Sequence, residues 1–174
     1  MLMRELVLGN TLIDLYSQSG KILEARAVFL KIPGQDLISW NALISGYAKQ
    51  GLHDDVLKCL ILMENSGICP DSVTYMCILK ACANNGSLYI GEYIDSKIRK
   101  RGLLKKDVML GNSLVAMYSK CGAFDKAQLV FECLPIRNVV SWNALVSGYI
   151  QHGHGEEALI CFTQMENAGI MPDI

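Results

Sequence analysis

Apolar and polar positions along the chain alternate with a helical period. Segment 39–49 carries four apolar residues at the i, i+3, i+4, i+7 spacing of one helix face: Trp40, Leu43, Ile44 and Tyr47. This spacing predicts an amphipathic helix. Gly51 follows, as glycine commonly does where a helix ends in a left-handed residue. The pattern predicts a helix over 39–49 closed by a glycine turn.

A second helix is predicted after this turn. Asp54 and Asp55 stand where it would begin, and acidic side chains favour a helix N-terminus because of the exposed amides and the helix dipole. The helix is expected to run to about residues 63–66. Gly67 and Pro70 then stop it, since proline has no amide donor and biases its predecessor toward extended geometry. The unit is therefore helix, glycine turn, helix.

The unit is repeated along the chain. Residues 37–71 placed under residues 139–173 match at about half of the positions, with an offset of 143 − 41 = 102. The same offset continues the match through residues 8–29 and 110–131. A glycine also recurs at spacings of 31 to 36 residues: Gly20, Gly51, Gly86, Gly122 and Gly153. Repeats of this length are typical of stacked supersecondary units, so an all-α solenoid of helical hairpins is predicted.

Composition changes this picture little. The chain has 174 residues, of which 51% are hydrophobic, so it can bury a substantial core. No stretch approaches the roughly 20 apolar residues of a membrane helix, and no membrane span is predicted. The formal net charge of −1 gives no general attraction to a polyanion. Nucleic-acid binding would therefore have to come from a local site.

No catalytic residue, metal site or cofactor is predicted. The motif His154-Gly155-Glu156 matches the H-x-E of zinc nucleobase deaminases. It lies in a predicted turn between helices, however, and no P-C-x-x-C follows it, so the metal ligands are incomplete. The chain is accordingly expected not to be an enzyme.

Two other groups of side chains have structural explanations. The aromatic residues Trp40 and Trp142, and the tyrosines, share the helical spacing of Leu and Ile and are interpreted as core residues. The main basic cluster could contact phosphate, but its place at the end of a second helix favours a solvated face: Lys97, Arg99, Lys100, Arg101, Lys105 and Lys106.

Polar side chains recur on the first helices, opposite the apolar face. Asn41, Ser45 and Ala48 are predicted to lie on one side of their helix, away from the apolar residues. Asn10, Asp14 and Ser17 are predicted to do the same. A polar stripe repeated along stacked helices would form a binding surface.

These features resemble the plant pentatricopeptide repeat (PPR) family, and in particular its PLS subclass, in which short, standard and long repeats alternate. The motifs are a Gly-Asn start at 9–10 and 111–112, a Tyr-Ser-x-x-Gly turn at 16–20 and 118–122, and Ile-Leu-Lys-Ala-Cys at 78–82. Units 6–36 and 108–138 resemble short repeats, 37–71 and 139–173 standard repeats, and 72–107 a long repeat. Since Ile174 would open a sixth unit, a longer array is expected.

The resemblance implies binding of single-stranded RNA, with each base read by the fifth and the last residue of one unit. The implied pairs are Asn10 with Asp36, Asn41 with Asp71, Met76 with Asp107, Asn112 with Asn138, and Asn143 with Asp173. The second residue of each unit would sandwich the bases: Val7, Ile38, Val73, Met109 and Val140. In the family, Asn with Asp favours uracil and Asn with Asn favours cytosine. With RNA running 5′ to 3′ along the chain, the implied preference is U-U-N-C/U-U.

Other interpretations of the same residues stay open. Asn is also a common cap or turn residue, and the last-position Asp residues would also cap the following helix. By resemblance, the chain is the RNA-targeting segment of an editing or processing factor in a mitochondrion or chloroplast, with editing-factor proteins as further partners. The alternative is a protein-interaction scaffold, because stacked helical hairpins also bind peptides.

Overall fold

The computed structural model describes the backbone of residues 2–171 and the side chains of residues 4–171. Ten α-helices and no strand occur among them. The first five are α1 (Leu2–Gln18), α2 (Ile22–Lys31), α3 (Leu37–Lys49), α4 (His53–Asn65) and α5 (Ser72–Asn85). The others are α6 (Leu88–Lys100), α7 (Val108–Lys120), α8 (Phe124–Glu132), α9 (Val139–Gln151) and α10 (Gly155–Asn167), with a 3-10 turn at Leu103–Lys105. The predicted all-helical class is confirmed.

The helix boundaries follow local signals in the sequence. The helix predicted over 39–49 is α3, which begins two residues earlier because Asp36 caps it, and the second predicted helix is α4. Gly51 has a φ of 72°, a left-handed conformation that strains an L side chain, so the predicted glycine turn is confirmed. Helices α3, α5, α7 and α9 begin where the units 37–71, 72–107, 108–138 and 139–173 begin, although the division into short, standard and long units remains a prediction.

The chain folds as two compact units, residues 1–81 and 82–174. In the first unit α1 packs against α2 and α3, and α3 packs against α4. In the second unit α7 packs against α6, α8 and α9, and α9 packs against α10. The first helix of one hairpin thus contacts the first helix of the next. No helix within residues 2–171 has both the length and the apolar character needed to cross a bilayer.

The tryptophans belong to the core, as predicted. Trp40 is 5% exposed and meets the edge of Phe29, with ring centroids 4.6 Å apart. Trp142 and Phe131 repeat this contact at 4.6 Å in the second unit. The same interpretation is wrong for the tyrosines of α6, since Tyr89 and Tyr93 are exposed. Three isoleucines occupy the buried face of that helix and turn these rings outward: Ile90, Ile94 and Ile98.

A polar network joins α6 to α7 inside the second unit. The hydroxyl of Tyr118 donates a hydrogen bond to Asp95 Oδ2 at 2.9 Å, and Arg99 Nε donates to Asp95 Oδ1 at 2.8 Å. Arg99 belongs to the predicted basic cluster, and this bond ties its guanidinium to a buried carboxylate. Lys97, Arg99 and Lys100 lie in the last turn of α6, where positive charge suits the helix dipole.

Candidate nucleic-acid interface

The first predicted pair, Asn10 and Asp36, is in direct contact. Asn10 lies on α1, and its Nδ2 donates to Asp36 Oδ1 at 3.1 Å. Asp36 is the N-cap of α3 and accepts a second hydrogen bond from the Ser39 amide at 2.8 Å. The Ser39 hydroxyl lies 2.6 Å from Asn10 Oδ1, to which it donates. The fifth and last positions of this unit are therefore joined through the following helix.

The second predicted pair, Asn41 and Asp71, repeats this arrangement. Asn41 Nδ2 donates to Asp71 Oδ1 at 3.2 Å, and the Thr74 amide donates to the same carboxylate oxygen at 2.8 Å. The Thr74 hydroxyl lies 2.5 Å from Asn41 Oδ1. The two pairs thus share one geometry, although the hydroxyl comes from serine in one case and threonine in the other.

Both carboxylates are held in the ionised form. Burial alone would raise the pKa of Asp36, but the hydrogen bonds from Ser39 and Asn10 outweigh it and keep the pKa below the usual 3.8. The pKa of Asp71 is lowered in the same way, because the bonds from Thr74 and Asn41 overcome burial. A carboxylate must receive a donor, so it fixes which end of each Asn amide faces it.

The third pair, Asn112 and Asn138, differs in one contact. Asn112 Nδ2 donates to Asn138 Oδ1 at 3.2 Å, and the Ser141 amide donates to that oxygen at 3.1 Å. The Ser141 hydroxyl is turned to the main-chain oxygen of Asn138, at 2.8 Å. Asn112 Oδ1 is buried, and no donor among the described residues reaches it. This amide is therefore held at its nitrogen only.

The two remaining pairs are described residue by residue. Met76 is half-buried on α5 and has no hydrogen-bonding group comparable to an amide, while Asp107 caps α7 by accepting from the Leu110 amide at 3.1 Å. Met76 belongs to the first compact unit and Asp107 to the second. Asn143 is exposed on α9, and Asp173 lies outside the described residues.

The last-position residues cap helices, as one interpretation predicted. Asp36, Asp107 and Asn138 are the N-caps of α3, α7 and α9. The fifth-position residues Asn10 and Asn41 are not caps, because both lie inside a helix. Base reading by the asparagines thus does not compete with capping, whereas the last residue already has a structural role.

The second-position side chains are all exposed. Aliphatic side chains of this size are usually buried, yet 48% to 68% of each surface is accessible: Val7, Ile38, Val73, Met109 and Val140. Each stands one helical turn from a fifth-position residue. The positions predicted to sandwich bases are therefore free to contact a ligand.

In the compact unit of residues 1–81, the second-position side chains line a depression of about 610 Å³. Its walls include Val7, Ile38 and Val73, and its polar lining includes Asn10 and Asn41. The described lining residues also contribute two carboxylates, Asp14 and Asp71, and no lysine or arginine. The depression therefore offers apolar contact and hydrogen bonds rather than positive charge.

The predicted polar stripe is shorter than expected. Ser17 and Ala48 are buried rather than exposed, which corrects the prediction for both. Ser17 donates to the Ala42 carbonyl at 3.4 Å and lies against Gly46, because α1 and α3 approach closely at their C-terminal ends. Asn10 is also nearly buried, at 9% exposure, so the prediction is corrected for it too, and the accessible members of the stripe are Asp14, Asn41 and Ser45.

The deaminase-like motif forms no metal site in the part of the chain that the structure describes. His154 Nδ1 lies 3.5 Å from Glu157 Oε1 in the first turn of α10. No group of three or more His, Cys, Asp or Glu side chains there is placed to hold a metal ion.

Family models place this arrangement among known proteins. A model described as the PPR repeat family matches residues 35–84 and 137–174, and one described as the PPR repeat matches residues 10–36 and 112–139. Two curated relatives from Arabidopsis thaliana are 37% and 39% identical. They are a putative mitochondrial pentatricopeptide repeat-containing protein, matched over 97% of this chain and 27% of its own, and a chloroplastic one, matched over 99% and 33%.

Solved structures agree on the fold. The crystal structure of PPR10 from maize matches with a TM-score of 0.80 and 23% identity, over 94% of this chain and 24% of that one. PPR10 in complex with an 18-nucleotide psaJ RNA element matches with a TM-score of 0.78, over 96% and 26%. The fold is an α-solenoid of helical hairpins, and the chain belongs to the pentatricopeptide repeat family. It spans between a fifth and a third of the length of the curated relatives it matches.

Proposed function

We propose that this chain binds single-stranded RNA and reads one base with each unit. The observation that carries the proposal is a repeated constellation of a fifth-position Asn hydrogen-bonded to the last residue of its unit, beside an exposed aliphatic side chain. An Asn amide can donate to and accept from the Watson–Crick edge of a pyrimidine, and an aliphatic wedge contacts the base face. PPR10, which shares the fold, has been solved with an RNA element.

The proposed preference is U-U-N-C/U-U. Asn10 with Asp36, and Asn41 with Asp71, read uracil, and Asn112 with Asn138 reads cytosine or uracil. Asn143 with Asp173 reads the last uracil. The middle base is open because a Met side chain has no group with which to discriminate among bases.

The chain is proposed to be the RNA-targeting segment of an organelle editing or processing factor, with catalysis supplied by other parts or by editing-factor partners. Support comes from relatives named mitochondrial or chloroplastic. Since the chain covers only part of their length, the activity and address of a whole protein remain part of the proposal.

Fluorescence anisotropy tests RNA binding directly. The folded chain, checked by circular dichroism, is titrated into labelled single-stranded RNA containing U-U-N-C-U and into a control with purines at the four specified bases. We expect tighter binding to the first RNA and a loss of affinity with rising salt, because phosphates release counterions on binding. Equal affinity for both RNAs would contradict the code.

The second candidate function is a scaffold that binds peptides. It is favoured by the carboxylates and the absence of lysine and arginine among the described residues that line the depression of the first unit. A scaffold predicts no RNA binding that depends on base identity. Absence of RNA binding even at low salt, where electrostatic attraction is strongest, would favour this candidate.

A further inference from the structure

The third residue of a unit touches the reading pair of the unit before it. Ser39, Thr74 and Ser141 occupy this position on α3, α5 and α9, and all three are fully or almost fully buried. Each follows a last-position residue by three, so its amide donates to the capping side chain. In α7 the position is filled by Leu110, which has no hydroxyl. These hydroxyls have no part in the code proposed above.

In the compact unit of residues 1–81, the hydroxyl lies against the amide oxygen of the fifth-position Asn in both pairs. The distances are 2.6 Å from Ser39 Oγ to Asn10 Oδ1 and 2.5 Å from Thr74 Oγ1 to Asn41 Oδ1. Two oxygens this close require a proton between them, and only the hydroxyl has one to give. The hydroxyl therefore donates and the amide oxygen accepts. Each hydroxyl also lies 2.8 Å from the Oδ1 of the capping Asp, Asp36 or Asp71, so its single proton is shared between the amide oxygen and the carboxylate.

The opposite orientation of the amide is unfavourable. Rotating the Asn41 amide by 180° would place its oxygen against the ionised Asp71 oxygen, where the nitrogen now donates at 3.2 Å. Two acceptors would then face each other without a proton. The carboxylate fixes the nitrogen, the Thr74 hydroxyl fixes the oxygen, and the amide is left with one N–H to offer a base.

The pair Asn112 and Asn138, in the compact unit of residues 82–174, lacks this restraint. Ser141 Oγ donates to the main-chain oxygen of Asn138, and Asn112 Oδ1 has no partner among the described residues. A buried acceptor without a donor is unfavourable, so nothing comparable holds this amide oxygen inward. Asn112 is held at its nitrogen only, by the neutral oxygen of Asn138 instead of an ionised carboxylate, so its amide is less restrained than that of Asn41.

We propose that Ser39 and Thr74 are positioning residues that determine base specificity by locking the preceding Asn amide with its N–H outward. This inference rests on the proposed function. A locked amide points its remaining N–H toward the base and keeps its oxygen on the hydroxyl, which suits the carbonyl oxygens of uracil better than the exocyclic amine of cytosine. An unlocked amide can also accept from that amine. The hydroxyl, together with the last residue, thereby separates uracil-reading from cytosine-reading units.

The test uses Thr74→Val, which removes the hydroxyl but keeps the shape, with Thr74→Ser as the conservative rescue. Ser141→Ala is the matched control, because its hydroxyl does not touch the Asn amide oxygen. For each variant, Kd is measured by anisotropy for RNAs with uracil or cytosine at the second or the fourth base.

We expect Thr74→Val to lower the preference for uracil over cytosine at the second base by about fivefold. This factor corresponds to the loss of one hydrogen bond that contributes about 1 kcal/mol. Thr74→Ser should retain the preference, and Ser141→Ala should leave the fourth base unchanged. A wild-type preference in Thr74→Val, or an equal loss in Thr74→Ser, would overturn the proposal. If Thr74→Val does not fold, Ser39→Ala gives the same test at the first base.

A second readout needs no RNA. The side-chain amide protons of Asn41, followed by ¹H–¹⁵N correlation spectra, should exchange slowly in the wild type and in Thr74→Ser and faster in Thr74→Val. Asn112 should not respond to Ser141→Ala. Unchanged exchange at Asn41 in Thr74→Val would refute the lock itself. A confirmed lock without any base preference in the wild type would instead refute the proposed function, and the specificity role with it.

Discussion

Tyr118 and Asp95 form a buried hydrogen bond of 2.9 Å between α7 and α6. Both side chains are almost fully buried, and the carboxylate also accepts a hydrogen bond from Arg99. The pKa of Tyr118 is raised, mainly by burial and next by the hydrogen bond and charge of Asp95. The phenol therefore stays protonated and donates. This bond attaches the second helix of one hairpin to the first helix of the next.

Replacing Tyr118 by Phe should destabilise the fold. The change removes one donor from a buried carboxylate, and we expect a loss of about 1–3 kcal/mol in the free energy of unfolding, measured by urea denaturation. Tyr16→Phe is the matched control. Tyr16 lies at the equivalent position 102 residues earlier and is half-exposed, and its hydroxyl makes no hydrogen bond to the described residues. A similar loss in both variants would contradict the assignment.

Acid should weaken the caps of α3 and α5. The folded-state pKa values of Asp36 and Asp71 lie below the usual 3.8, so their stabilisation is complete above about pH 4 and is lost as the pH falls through the folded values. Asp71→Asn keeps a capping oxygen but cannot titrate. Between about pH 5 and about pH 2, the Tm of the wild type should fall more steeply than that of Asp71→Asn. Parallel curves would show that this carboxylate does not contribute.

Gly46 should be intolerant of a side chain. A Cβ at Gly46 would lie 2.8 Å from Ser17 Cβ and from Ile22 Cδ1, so α1 and α3 would have to separate. We expect Gly46→Ala to cost about 1–3 kcal/mol of stability, by overpacking. The control is Gly155→Ala at the start of α10, where no described atom lies within 4 Å of the added carbon. It should be neutral or slightly stabilising, as helix propensity predicts.

The last residue should control the base read by its unit. Asp71→Asn converts the second pair into the Asn/Asn combination of Asn112 and Asn138, and Asn138→Asp makes the reverse change. By the code proposed above, the first variant should shift the preference at the second base toward cytosine, and the second should shift the fourth base toward uracil. Anisotropy with the four matching RNAs measures both. Unchanged preferences in both variants would reject the code.

Much of the fold was accessible from the sequence. The period of Trp40, Leu43 and Tyr47 predicted α3, and the recurring glycines predicted the turns, because both signals are local. The burial of Ser17 and Ala48 was not predicted. A helix with one apolar stripe is assumed to have one buried face, whereas these first helices also contact their neighbours near their C-terminal ends.

The site was predicted only in part. The structure brings together Asn10 with Asp36 and Asn41 with Asp71, which the resemblance had paired, but the third-position hydroxyls were not recognised. Their signal was present as a Ser or Thr three residues after the capping residues Asp36, Asp71 and Asn138, at 39, 74 and 141. Spacing alone indicates a helix start. The contact of Ser39 with Asn10, 29 residues away, depends on how neighbouring hairpins pack.

The capping role of Asp36, Asp71 and Asn138 limits how such an array can evolve. Only a few residue types are favourable N-caps, chiefly Asp, Asn, Ser and Thr, because few side chains can accept hydrogen bonds from the exposed amides. By the code proposed above, mutation to any other residue at these positions would alter base recognition, and it would also weaken the helix. Asn10 and Asn41, inside their helices, are not under this limit. Changes in base preference should therefore arise first by substitution at the fifth position, because the last position tolerates only a few residue types.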